Sequence, residues 1–230
     1  LTAWILVRLP RIRSSLAQRD SAYAAAFVDF LAQPAAGRML AFVILFRTGE
    51  SFFAKMRYPF LKDAVGMSIE QYGFANGTLG VIASFTATLL GGWLIARHGL
   101  RRWIWPFMLA QNGLILLFVW IAALPHPEGL GFGLTTAAIS VDQLGAGLGT
   151  AAFMVYLMRC CDPAHKAAHM AMVTALMSLS FTVAGVCSGF LAEAMGYAAY
   201  FAFCVAVSIP AMALIPLVPH LDGREPRAGA

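Results

Sequence analysis

Arg47 and Glu50 stand three residues apart in the middle of an apolar stretch, a spacing that places opposite charges on one helix face, where they can pair. Farther along, Asp142 and Gln143 interrupt another apolar run. A charge at the centre of a membrane span costs about 3 kcal/mol or more unless it faces a polar interior, so such residues mark solute or proton pathways. A carboxylate's hold on a proton depends on burial and on nearby guanidinium groups, which act in opposite senses. Reversible protonation is therefore the chemistry to expect. In this reading Asp142 faces Arg47 and Glu50 across a water-filled central cavity, and a proton on one carboxylate changes which partner Arg47 holds. Arg47, Glu50, Asp142 and Gln143 are thus the expected substrate and proton-coupling residues. A plainer alternative is that Arg47 and Glu50 only neutralise each other for insertion, and that Asp142 only hydrogen-bonds between helices.

Lys55 and Arg57 lie about two turns beyond Arg47. They either snorkel to headgroups or meet an anionic solute at the outer mouth. Asn76, Gln111 and Asn112, with Tyr58, are neutral polar groups that could line a cavity or join helices. Gly145 with Gly149, and Gly185 with Gly189, each give a G-x-x-x-G spacing that lets helix backbones approach closely. Cys160, Cys161, Cys187 and Cys204 have no zinc or disulfide spacing, and Asp162, His165 and His169 lack a convincing fourth ligand, so no metal site is expected. The chain contains no H-E-x-x-H, no G-x-S-x-G and no Gly-rich phosphate loop. No cofactor and no enzyme activity are expected.

These residues need elements that hold them inside a bilayer. Of the 230 residues 60% are hydrophobic and 12% charged, with mean hydropathy +0.74, more apolar surface than one water-soluble core could hide. The formal net charge of +5 sits in short basic clusters between apolar runs, a membrane-loop pattern that argues against nucleic acid. Spans are expected at about 39–61, 72–96, 103–124, 132–158, 170–192 and 198–217, each near the ~20 residues that cross a hydrocarbon core. Runs of this length must be helical, because lipid offers the backbone no partners. Lys and Arg collect in alternate connections, which puts both termini in the cytoplasm. Residues 1–7 read as the end of a preceding helix and 8–38 as a cytoplasmic linker; 39–218 form the bundle and 219–230 a cytoplasmic tail. The fold class is an all-α membrane protein whose six transmembrane helices form one half of a twelve-helix bundle. A half-size transporter that dimerises, and a non-transporting helical subunit, remain as alternatives.

The stretch from Gly91 to Arg102 resembles the G-x-L-x-D-R-x-G-R-K/R signature of the major facilitator superfamily. Gly92, Leu94, Arg97, Gly99, Arg101 and Arg102 match, while Ala96 replaces the acidic residue. Three further segments resemble the C-terminal half of the AmpG-type muropeptide permeases: Phe46-Arg47-Thr48-Gly49-Glu50-Ser51-Phe52, Gly147-Leu148-Gly149-Thr150-Ala151-Ala152-Phe153-Met154, and Ala167-Ala168-His169-Met170-Ala171-Met172. The resemblance covers residue 39 to the end. It implies import of anhydro-muropeptides across the bacterial inner membrane, driven by protons, with a missing N-terminal six-helix half supplying the other wall of the cavity. A major facilitator transporter for another solute is the alternative.

Overall fold

The computed structural model describes Val28, residues 30–33 and residues 35–222. The expected helix end at 1–7, the linker residues Arg8, Arg11, Arg13 and Arg19, and the tail residues Arg224 and Arg227 lie outside the described residues. Among the described residues there is no strand. Each apolar run falls on a helix: α1 is Ala36–Asp63, α2 Ile69–His98, α3 Leu100–Ala122 and α4 Gly131–Cys160. The remaining helix, Lys166–Leu214, is broken at Gly196 into α5 (166–195) and α6 (197–214).

Local chemistry sets the ends. Ser68 opens α2 with a capping box, its hydroxyl accepting from the Gln71 N–H at 3.2 Å while Gln71 Oε1 accepts from the Ser68 N–H at 3.0 Å. Gly99, at φ 86°, turns the chain between α2 and α3. Gly196, at φ 77° and ψ 161°, does the same between α5 and α6. A straight helix of 49 residues would run about 73 Å, more than twice a hydrocarbon core. Instead, Ser180 on α5 meets the Ile44 carbonyl at 3.4 Å and Tyr200 on α6 meets the Phe52 carbonyl at 2.8 Å. The two halves therefore fold back beside α1, α5 parallel to it and α6 antiparallel.

Among the described residues, four stretches are long and apolar enough to cross a membrane: Ile69–His98, Leu100–Ala122, Gly131–Cys160 and Lys166–Leu217, the last containing the Gly196 bend. Helix α1 is of comparable length but carries Arg47, Glu50, Lys55 and Arg57, and falls outside that apolar class. Large apolar side chains such as Ile82, Phe85, Leu89, Val186 and Phe190 point outward from α2 and α5, as lipid-facing helices require.

Two apolar clusters fill the interior, one at each end. Near the start of α1, Phe42, Phe46, Ile104, Phe107, Phe153 and Tyr156 pack together, with the Phe46 and Phe153 rings stacked at 4.6 Å. At the opposite end, Phe53, Phe60, Phe118, Ile139, Tyr200 and Phe201 form the second cluster. The stretch of α1 between Phe46 and Phe52 belongs to neither cluster.

The helices around α4 approach at glycines. A Cβ on Gly145 would lie 2.8 Å from the Ala110 carbonyl oxygen of α3. One on Gly147 would strike the Ser84 carbonyl of α2, and one on Gly149 the Gln111 side chain of α3. The expected Gly145/Gly149 surface is thus a real close contact. The Gly185/Gly189 pair differs: Gly189 meets nothing within 4 Å, and a Cβ on Gly185 meets only Lys55. Replacing Gly147 by Leu is expected to lower the unfolding temperature of the detergent-purified protein through about 2 kcal/mol of overpacking, whereas Gly189→Leu leaves it unchanged.

Candidate functional site

Helix α1 presents its charges to two separate polar layers. In the middle layer, between the apolar clusters, Arg47 pairs with Glu50, as the three-residue spacing predicts. Arg47 Nη2 also donates to Thr150 Oγ1 on α4 at 3.1 Å. Gln111 Nε2, from α3, donates to Glu50 at 2.9 Å. Gly149 lets this happen, because the Gln111 side chain occupies the space that any Cβ there would need. Asn112 sits beside it, buried, its amide donating to the Met108 carbonyl at 3.0 Å.

About three turns farther along α1, the outer layer is built around Arg57. Its Nη1 donates to Asp142 Oδ2 at 2.7 Å and its Nη2 to Asn76 Oδ1 at 2.6 Å. The Asn76 oxygen also accepts from Gln143 Nε2 at 3.0 Å. Three helices are tied at one point. Asn76 reaches it from a π-helical stretch, Gly73–Gly80, within α2, a local widening often found at functional sites. Arg57 and Asp142 are only 9% and 4% exposed, so this pair is sealed inside the bundle.

The expectation that Asp142 faces Arg47 is corrected by these contacts: Asp142 is held by Arg57, and Arg47 by Glu50. Both readings of Arg57, as a snorkelling or outer-mouth residue, are corrected too. It points inward because the Asp142 carboxylate on the neighbouring helix is the strongest partner within its reach. Helix periodicity along one span cannot reveal a partner contributed by another span.

The two layers differ in access. Arg47 and Glu50 side chains are 18% and 24% exposed and line a cavity of about 420 Å³ between α1 and α5, with Ser51, Thr174, Ser178, Phe181 and Thr182. The α5 hydroxyls at 174, 178 and 182 were not among the expected site residues. Their signal was present as hydroxyl residues every four positions along α5, which places them on one face. The Lys55 ammonium lies 3.7 Å from the centre of the Phe181 ring.

The basic turn between α2 and α3 is structural in these contacts. Gly91, not Gly92, makes the close approach, with a Cβ there 2.9 Å from Ala151; nothing lies within 4 Å of Gly92. Arg97 lies over the Trp93 ring at 5.4 Å, and Arg102 is exposed. Arg101 pairs with Asp222 at 2.7 Å beyond the end of α6. Arg38 donates to the Leu217 carbonyl at 3.1 Å, and Arg159 to those of His220 and Leu221 at 3.3 and 2.8 Å. Burial lowers the His220 imidazole below its ordinary value, so at neutral pH it adds no charge beside these arginines.

Residues 25–230 match the Major Facilitator Superfamily family model. The chain is 33% identical over 181 residues to an uncharacterized protein of Haemophilus influenzae. It is 29% identical over 196 residues to a protein of Escherichia coli K12 named anhydromuropeptide permease. These alignments take in 75% and 85% of this chain but 41% and 39% of those proteins, so the chain spans about two fifths of the length of the curated relatives it matches. A Rickettsia bellii protein named as an AmpG transporter is 25% identical over 202 residues.

The sealed layer gives a stability test. Asp142→Asn leaves the Arg57 guanidinium buried without its counter-charge and is expected to destabilise the bundle by about 3–5 kcal/mol. Arg57→Met combined with Asp142→Leu is expected to restore most of that loss, measured as chemical unfolding in detergent. Removing Arg101 from its exposed pair with Asp222 is expected to cost less than about 1 kcal/mol.

Proposed function

The chain belongs to the Major Facilitator Superfamily, and we propose that it forms the six-helix half of a proton-coupled permease that imports anhydro-muropeptides or related cell-wall breakdown products. Membership supports reading it as part of a multi-pass membrane transporter of small molecules. The muropeptide cargo rests on the name of the Escherichia coli relative and on polar groups suited to an anionic, hydrogen-bonding solute. In this reading the protein sits in a bacterial inner membrane.

In this reading all six helices cross the bilayer. Helix α1 does so despite its charges because Arg47 and Arg57 each meet a carboxylate inside the bundle, which removes most of the insertion cost. Arg38, Arg97, Arg101, Arg102, Arg159 and Lys166 gather at the end of the bundle where α1 begins. Positive charge at that end supports a cytoplasmic orientation for it. A second six-helix half closes the cavity from the side of α5.

The observation that carries the proposal is the Arg47–Glu50 pair lining an open cavity at mid-bundle. Glu50 is the coupling carboxylate, because water can reach it, and a proton there releases Arg47 toward the solute. Asp142, locked to Arg57, holds α1 against α2 and α4, with Gln143 completing the lock through Asn76. In proteoliposomes containing the complete permease, uptake of a labelled anhydro-muropeptide is expected to follow an inward proton gradient. Glu50→Gln is expected to abolish that dependence while leaving solute exchange without a gradient intact. Normal uptake by Glu50→Gln with an unchanged pH profile would overturn the assignment.

A further inference from the structure

The walls of the α1–α5 cavity differ in hydrogen-bonding character. On α5 the hydroxyls of Thr174, Ser178 and Thr182 each donate to the carbonyl four residues back, at 2.8, 3.1 and 2.9 Å. A hydroxyl has one hydrogen and two lone pairs. With its hydrogen committed to the backbone, each of these oxygens offers the cavity only acceptor capacity. The three form a ladder about 12 Å long, suited to a solute rich in N–H and O–H donors.

Near the Thr182 end of this ladder lies Lys55. Its neighbours Arg47 and Arg57 on α1 are neutralised by Glu50 and Asp142, whereas Lys55 has no carboxylate within salt-bridge distance among the described residues. Its ammonium rests on Phe181, a residue of the cavity wall. A ring face holds a cation loosely compared with a carboxylate. The lysine stem reaches Gly185, one turn farther along α5, at ordinary contact distance, 3.5 Å from where a Cβ would stand.

We propose that Lys55 is the anion-binding residue of this cavity: it leaves the Phe181 ring to take a carboxylate of the solute, while the Thr174–Ser178–Thr182 ladder accepts from the solute's amide and hydroxyl groups. The inference rests on the muropeptide reading and adds to it the point at which the solute's negative charge is held. It also sets the solute's direction in the cavity, with its carboxylate toward Lys55 and its donors along α5.

The test is equilibrium binding to the purified complete permease, using an anhydro-muropeptide with free peptide carboxylates and the same compound as its methyl ester. Esterification is expected to weaken binding to the unmodified protein about ten- to a hundredfold, the range for a charge-assisted hydrogen bond. Lys55→Met is expected to weaken binding of the free acid by a similar factor and to leave ester binding unchanged. Lys55→Arg is expected to keep most of the preference for the acid. Ser178→Ala is expected to weaken acid and ester alike. An unmodified permease that binds acid and ester equally, or a Lys55→Met variant that still prefers the acid, removes the role of Lys55 and leaves the transport reading standing. If the unmodified protein binds neither compound, the muropeptide reading falls and this inference falls with it.

Discussion

A helix that carries four charges through a lipid-surrounded bundle must find their partners from inside, and the architecture follows from how α1 does so. Arg47 is neutralised within its own helix, by Glu50 one turn away. Arg57 has no acidic residue within one turn of it on α1 and takes Asp142 from α4. The second solution fixes the relative position of two helices, and Asn76 adds a third. A pair closed within one helix makes no such demand, so the middle layer is free to open onto a cavity while the outer one is sealed.

The apolar parts reinforce this division. Aromatic clusters close both ends of the bundle, and the glycines of α4 bring α2 and α3 near enough for short side chains to reach across. Gln111 would not reach Glu50 if residue 149 carried a side chain. Close packing and polar satisfaction are here one requirement, since the tight helix contact is also what completes the hydrogen bonds of the carboxylate.

Much of the helical layout was legible in the sequence, because hydrophobic length and the absence of backbone partners in lipid leave helices as the only answer. The Arg47–Glu50 pair was legible for a similar reason, being set by spacing within one element. Asp142 was legible as a buried charge but its partner was not, because Arg57 is 85 residues away in the chain and only packing brings them together. Gly92 and Gly91 are adjacent, and the sequence pattern selected the one that faces open space. The hydroxyl face of α5 was missed because isolated Thr and Ser residues within an apolar run are ordinary, and only the position of the cavity distinguishes this row. The break at Gly196 explains how residues 166–214 accommodate two expected spans.

The chain leaving α6 passes beneath the bundle, where arginines from three other helices meet it. Arg38 and Arg159 donate to main-chain oxygens that follow the last helical turn, and Arg101 grips the Asp222 carboxylate. These side chains therefore fasten the segment that follows α6 and, in the proposed orientation, also supply the positive charge of that face. The two duties differ in stringency. Any cation satisfies a count of charge, but Arg159 spans two successive carbonyl oxygens with one nitrogen at the end of a rigid planar fork, a reach that a lysine's single flexible ammonium does not reproduce. An Arg-to-Lys drift at this face would therefore preserve topology while untying the floor of the molecule.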